Sequence, residues 1–381
     1  MRAQLPALQN KTYFNYGGQG PLPNQSLAAI LHCWQELQRL GPFSADAEDL
    51  VQHHGESLRR VLGRWCGVAP GRLALTENVS SGCVLPLWGL PFEAGDGVLI
   101  SDAEHPGVVA ACRELARRLG LRVGYFCVSD LSSGQAALAR LAAALQPRTR
   151  LVVLSHLLWN SGVVMPIRAV AAVLAAHPLQ PWLMVDGAQS MGSLPLAEAA
   201  AAADIYAFTG HKWLCGPEGL GTVVLSERLL EQASPTLIGW RSLAPQEASD
   251  TFHRDARRFE VATSCVPLQA GLRQSMGWLA QVGDHQLRLE SLQRNSARLW
   301  HALQDQQGIT TRLPHPPEAG LVGFRLNGLG CQEVVERLGS QGIWIRSLDQ
   351  PPWLRACCHL FTVPEEVDRL VGALAALATK R

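Results

Sequence analysis

The chain lacks most of the features that classify a protein at a glance. No apolar run among its 381 residues approaches the ~18–20 that a membrane-spanning helix needs. The opening residues, MRAQLPALQNKTYFN, hold no apolar stretch of the ~7–15 residues found in a secretory signal. A soluble, unexported, cytoplasmic protein with no membrane partner is the expectation. Neither charge sign is in excess, with 33 basic side chains against 32 acidic ones, which argues against a partner such as nucleic acid. Charged residues are sparse (17%) and hydrophobic ones plentiful (47%), so disorder is excluded. None of the ten cysteines forms a C-x-x-C pair, which removes a zinc ribbon or thioredoxin-type site, and no metal is expected. They are read as reduced thiols, mostly in the core. No G-x-G-x-x-G follows the first candidate strand, so a nucleotide-binding dehydrogenase has no support.

What is present is an alternation of short apolar runs with amphipathic stretches over the first 230 residues or so. Candidate strands are Gly97–Ser101, Arg122–Val128, Arg150–Ser155, Trp182–Asp186, Ile205–Thr209 and Gly221–Leu225. Helix-like stretches lie between them at Gly107–Leu119, Gln135–Leu145 and Ile167–Ala176. Strand and helix in this rhythm read as α/β with a largely parallel sheet, whose ligands bind at the carboxyl ends of the strands. Beyond residue 250 the pattern changes to two long helices, Leu268–Val282 and His285–Gln307. A shorter α/β piece follows, with strands near Val322–Leu326 and Ile343–Arg346 and a last helix at Pro364–Ala378. The expected division is a large domain over 16–250 and a small one over 251–381 joined by residues 1–15, with a loop at 242–250.

Two segments stand out chemically. Trp182–Ser190, WLMVDGAQS, is a buried-type strand ending in Asp186, followed by a Gly turn and Gln189. An Asp there can pair with a cationic ring nitrogen, and can equally cap a helix or stabilise a turn. Thr209–Gly221, TGHKWLCGPEGLG, packs four glycines and a proline into a loop around a single lysine, Lys212, 26 residues after the Asp. Burial lowers an amine's pKa readily, so a lysine held in such a loop is a candidate Schiff-base former.

The order D-x-x-Q, then [ST]-x-H-K-W-x-x-G-P-x-G-x-G, resembles the pyridoxal-phosphate site of the class V aminotransferase family, the fold-type I group that contains the cysteine desulfurases. The resemblance runs over nearly the whole chain. It extends to Thr76–Gly82 (TENVSSG), Ala103–Pro106 (AEHP) and Ser155–Ile167 (SHLLWNSGVVMPI). Tyr13–Pro23 and Arg355–Val367 look most like the L-cysteine/cystine C–S lyases. The fold it implies is a large domain with a mainly parallel seven-stranded sheet and a smaller C-terminal α/β domain. The implied cofactor is pyridoxal 5'-phosphate, held covalently by Lys212, which then acts as base at Cα. Asp186 would keep the ring nitrogen protonated, Gln189 would bond the ring hydroxyl oxygen, and His105 would stack on the ring face. The phosphate would be held by Ser80, the amides of Asn78 and Val79, Thr209 and His211. Thr263, in RFEVATS, resembles a phosphate ligand supplied by the neighbouring subunit, which implies a homodimer with shared active sites.

Three further observations bear on the reaction that the resemblance implies. Desulfurases that pass sulfur through a protein persulfide carry a cysteine on the loop before the substrate arginine, whereas RSLDQPPWLR, Arg346–Arg355, has none. Cys357 and Cys358, just after it, are read as core packing. Arg355 matches the arginine that grips the substrate α-carboxylate. Arg346, nine residues earlier, is suited to a second carboxylate. Trp240, in IGWRS, is placed either over the substrate or in the core. Together these point to β-elimination of cystine or cysteine, with persulfide or sulfide as leaving group and a sulfur acceptor protein as partner. A desulfurase or selenocysteine lyase releasing alanine, and an aminotransferase, are the competing readings.

Overall fold

The computed structural model describes residues 1–244 and 251–379, so the expected loop at 242–250 lies outside the described residues from position 245 on. A two-residue strand β1 (Thr12–Tyr13) and two long helices, α1 (Asn24–Leu40) and α2 (Ala45–Cys66), come first. The main sheet then takes β2 (Leu73–Thr76), β3 (Gly97–Ser101), β4 (Arg122–Phe126), β5 (Thr149–Ser155), β6 (Trp182–Asp186), β7 (Ile205–Thr209) and β8 (Gly221–Leu225). Between them run α3 (Val79–Leu87), α4 (Pro106–Leu119), α5 (Gln135–Ala144), α6 (Ile167–Ala175) and α7 (Ala197–Ala202), with α8 (Glu227–Gln232) after β8.

Strand order is β2-β8-β7-β6-β5-β3-β4, parallel throughout except that β8 runs against both its neighbours. The expected mainly parallel seven-stranded sheet is therefore the observed one. Every residue of β6, β7 and β8 is buried, because helices cover both faces of the sheet and leave no side for polar alternation. Successive residues still go to opposite faces. Leu183, Val185, Tyr206 and Phe208 join one apolar cluster, while Trp182, Met184, Ile205 and Ala207 join the other.

Helix ends follow from local chemistry. Ser44 caps α2 by accepting from the Ala47 amide at 3.1 Å, with Asp46 and Glu48 in the first turn and Gly67 in the left-handed region beyond the last. Helix α4 begins with Pro106 in its first turn and ends at left-handed Gly120.

The rest of the chain comprises α9 (Val266–Ala280), α10 (His285–Gln304), β9 (Ile309–Thr311), β10 (Leu321–Leu326), α11 (Cys331–Gly339), β11 (Ile343–Trp344), β12 (Arg346–Asp349), β13 (Pro352–Cys357) and α12 (Pro364–Thr379). Helix α9 sends Leu272, Met276, Trp278 and Leu279 into the large core. A second, antiparallel sheet of order β12-β13-β10-β9 has its own cluster, built on Phe14, Leu299, Val322, Phe324, Leu354 and Leu370. Phe14 reaches it because β1 pairs in parallel with β11, so the start of the chain is stitched to its last third.

Candidate active site

Because β3, β5, β6 and β7 are parallel, Ser101, Ser155, Asp186 and Thr209 all end on one edge of the main sheet. The antiparallel β8 makes the chain double back there, and the reversing loop carries Lys212 across the carboxyl ends. The N-terminal segment threads beneath it. Gly20 donates its amide to the His211 carbonyl at 2.7 Å, and a Cβ on Gly20 would collide with the Lys212 carbonyl oxygen. Only glycine fits there. Gly17 is similarly pressed, since its Cβ would lie 2.7 Å from Gln189 Oε1 and 2.8 Å from Cys357 Sγ.

Asp186 is buried, and one carboxylate oxygen accepts the Ala188 amide at 2.8 Å. The half-buried Lys212 feels that carboxylate together with Arg355, Cys357 and Arg346. Burial outweighs the carboxylate and brings the ammonium pKa down to about 8. No hydrogen bond occupies the amine among the described residues. His105 caps α4 by accepting the Gly107 amide on Nδ1 at 3.2 Å, which leaves its exposed ring over the crevice. Burial of part of the ring, more than any charge, lowers its pKa, with Lys212 and Arg346 acting in the same direction against Asp186.

Gln189 is already engaged. Its Nε2 donates to the Gly17 carbonyl at 2.9 Å and its Oε1 accepts the Trp213 indole N–H at 2.9 Å, so one amide hydrogen is left for a ligand. Asn78 caps α3 by accepting from the Ser81 amide at 2.9 Å. The amides of Val79 and Ser80, the first two of the helix, have no intrahelical partner, and Ser80 is exposed. Thr209 Oγ1 and His211 Nδ1 are 2.8 Å apart. The two unpaired amides at the start of α3 are neutral donors of the kind that can hold an anion.

From the small sheet comes Arg355, 3% exposed, whose Nη1 donates to the Trp159 carbonyl at 3.2 Å and whose Nε has no partner. Arg346 is its directly opposed neighbour in the β12–β13 ladder, so the two guanidinium groups point to one face. Trp240 and Thr263 lie elsewhere. Both are exposed, and their segments run side by side, with Arg241 donating its amide to the Val261 carbonyl at 3.2 Å and Nη1 to Ser264 Oγ at 3.1 Å.

Several site residues have no signal of their own in the sequence. Cys357 is one: it packs in the large core, as its neighbour Cys358 packs in the small one, and it also touches the site. Cys357 follows Arg355 by two residues, hence shares its face, and its buried thiol contacts the Arg355 guanidinium and accepts the Gly17 amide. Asn160 is another, with a buried Oδ1 that lacks a partner. Glu104 is a third. It is fully enclosed between β3 and β5, accepting from Ser101 Oγ at 2.5 Å, the Ser155 amide at 2.7 Å and Ser155 Oγ at 2.8 Å. Burial pushes its carboxyl up to about 7, with Asp186 nearby adding to the shift. Asn160 and Glu104 lie inside the motifs SHLLWNSG and AEHP; spacing alone does not say that their side chains turn inward.

A lysine with a free, partly neutral amine, a buried carboxylate beside it, an exposed imidazole above and a cradle of unpaired amides form the donor set that pyridoxal phosphate requires. A fold-type I pyridoxal-phosphate enzyme is the class that this fold and site define. The chain belongs to the aminotransferase class-V family, whose profile matches residues 56–367. It is similar to an isopenicillin N epimerase from Streptomyces clavuligerus, 31% identical over 95% of this chain and 94% of the relative. It is also similar to a cysteine desulfurase from Haloferax volcanii, at 27% over 83% and 77%. Among solved structures, the cystine C–S lyase C-DES in complex with its reaction product cysteine persulfide superposes with a TM-score of 0.95 at 40% identity, covering 98% of this chain and 99% of that one.

Proposed function

We propose that this pyridoxal-phosphate carbon–sulfur lyase acts on L-cystine, which with one water gives pyruvate, ammonia and cysteine persulfide. The observation that carries the reading is the Arg346–Arg355 pair. Two guanidinium groups directly opposed on one face of a sheet repel each other, and neither forms an ion pair among the described residues. A ligand with two carboxylates, one at each end, relieves that repulsion. Cysteine offers one carboxylate, cystine two.

When bound, the cofactor supplies an electron sink for the carbanion formed at Cα. The residues of the chain do the rest. Arg355 would hold the α-carboxylate in its fork and Arg346 the distal one. Asp186 would keep a proton on the ring nitrogen, and the Ser80 hydroxyl with the amides around it would hold the phosphate. Lys212 would remove the Cα proton through its neutral amine, and its lowered pKa keeps a working fraction neutral near pH 7. The Cβ–S bond then breaks to release a persulfide, a better leaving group than sulfide. The turn of the β12–β13 hairpin, where Asp349 and Pro352 pair with each other, carries no cysteine to intercept that sulfur, and the Cys357 thiol at the end of β13 is already held by Arg355 and the Gly17 amide.

The exposed face with Trp240 and Thr263 supports a homodimer in which each chain completes the other's phosphate site and substrate mouth. The apolar stripe Leu27, Leu31 and Trp34 on α1, with Phe43 beyond it, is also exposed. A cytoplasmic setting suits ten free cysteines. A thiol-bearing acceptor protein, such as one feeding iron–sulfur clusters, is the proposed destination of the persulfide.

The test is product analysis on purified, cofactor-loaded protein given L-cystine and, separately, L-cysteine. Pyruvate with persulfide from cystine is expected. Alanine would overturn the reading in favour of a desulfurase and make Cys357 the first acceptor to examine. Loss of optical activity without pyruvate would overturn it in favour of epimerisation.

A further inference from the structure

Trp159 touches both halves of the site. It stands four residues beyond β5, in a tight reversal where Leu158 donates to the Val163 carbonyl at 2.9 Å and Gly162 to the Leu158 carbonyl at 2.9 Å. Its half-buried indole makes two contacts toward the main sheet. The Nε1–H donates to the Ala103 carbonyl at 3.0 Å, and the ring stands edge-on to His105, with centroids 6.0 Å apart and planes at 61°. Its carbonyl faces the small sheet and accepts the Arg355 Nη1 hydrogen at 3.2 Å. That is the backbone acceptor which orients a guanidinium whose Nε is otherwise unpaired. One residue thus fixes the loop carrying His105, at the end of β3, relative to an arginine on β13.

We propose that Trp159 is the positioning residue that sets the distance and angle between the imidazole over the cofactor ring and the guanidinium that takes the substrate carboxylate. The physical reason is leverage. The bonds that close the reversal, Met165 N–H to the His156 carbonyl among them, do not involve the Trp159 backbone, so its carbonyl is steadied by the indole anchored at Ala103. Without the indole N–H the carbonyl is free to tilt, and the Arg355 fork loses the acceptor that aims it. His105, two residues after Ala103, then meets an aromatic edge that is no longer anchored and no longer fixes its ring rotation. The substrate half of this inference rests on the C–S lyase reading. The cofactor half does not.

Trp159→Phe keeps an aromatic edge and removes the N–H, while Trp159→Ala removes both. One neutral hydrogen bond corresponds to roughly a two- to tenfold change in an equilibrium constant. In the apo-protein, Trp159→Phe is therefore expected to weaken pyridoxal-phosphate binding by about that factor, and to change the visible circular dichroism of the bound cofactor. In the loaded enzyme, KM for cystine should rise by a similar factor while kcat moves less. Arg355→Lys placed in the Trp159→Phe background should add less to KM than it does alone, because both changes disturb one arrangement.

A residue that merely fills space would lower the melting temperature and leave cofactor affinity, dichroism and KM within twofold of wild type; that result overturns the proposal. Strict additivity of the two KM effects overturns it as well. If Trp159→Ala does not fold, the Phe variant carries the test. If wild type cleaves no cystine yet Trp159→Phe still alters cofactor affinity and dichroism, the lyase reading falls and the positioning of His105 stands. If those two readouts are unmoved, the positioning role falls whatever the substrate.

Discussion

Lys212 from the main sheet and Arg355 from the small one both reach the crevice between the sheets, and the chain treats these two cations differently. Lys212 arrives on a loop at the edge of the main sheet; Arg355 is an interior position of a strand in the small one. Neither forms an ion pair among the described residues, and for both, burial is the largest influence on the pKa and lowers it. An ammonium can escape that cost by shedding its proton, and Lys212 is brought to about 8. A guanidinium cannot do so at any pH a protein survives, so Arg355 stays charged and waits for an anion. The same cost of burial therefore makes one residue a proton carrier and the other an anion site.

Lys212→Ala should break the proton-carrying half outright, with kcat falling by at least about a thousandfold. The sharper measurement is the pH dependence of covalent cofactor capture by the apo-protein. Capture needs the neutral amine, so its rate should climb about tenfold per unit up to pH 8 and level off above it. A rate still climbing at pH 10 would mean an ordinary surface lysine and would erase the contrast.

The anion half predicts a smaller, selective effect. Arg355→Ala should raise KM about a hundredfold for cystine and cysteine alike, since both carry the α-carboxylate. Arg346→Ala should cost about two- to fivefold for cystine and leave cysteine nearly unchanged, because Arg346 is exposed and a screened contact is weaker. Equal losses on the two substrates would remove the case for a two-carboxylate ligand.

Glu104 tests whether burial acts on an acid of the main sheet in the way it acts on Lys212. Its carboxyl moves from 4.5 to about 7, facing Ser101, Ser155 and Asp186, with the thiols Cys83 and Cys112 also near. A folded-state pKa above the unfolded one gives stability that is complete below pH 4.5 and lost as pH rises through about 7. The shift corresponds to on the order of 3 kcal/mol. The unfolding free energy of apo Glu104→Gln, taken relative to wild type, should therefore rise by that order between pH 4.5 and 7 and then stay level. A difference independent of pH would mean that the carboxyl titrates alike in the folded and unfolded chain.

Much of the main sheet was legible in the sequence. The strands Gly97–Ser101, Trp182–Asp186, Ile205–Thr209 and Gly221–Leu225 are read from it with the bounds they have in the fold, since each is a short apolar run closed by a turn. Helices α1 and α2 were not. Leu27, Leu31 and Trp34 lie on the exposed face of α1, so its apolar residues mark no single inward stripe. Strand β13 was missed as well, because an arginine at its centre reads as a surface position until a crevice is there to receive it. The glycines at 17 and 20 carry no sign that they pass under a lysine nearly two hundred residues away.

By itself the sequence determined the kinds of group available and their local setting: an acid ending an apolar strand, a lysine in a glycine-rich reversal, and two arginines nine residues apart. These follow from short-range rules of burial, capping and turn formation, which act within a few residues. Only the tertiary structure decided that the two arginines oppose each other across a ladder, that Trp159 bridges His105 and Arg355, and that Cys357 faces the lysine. Those facts depend on strand register and on the meeting of two sheets. A shift of one residue in β13 would turn Arg355 to the opposite face.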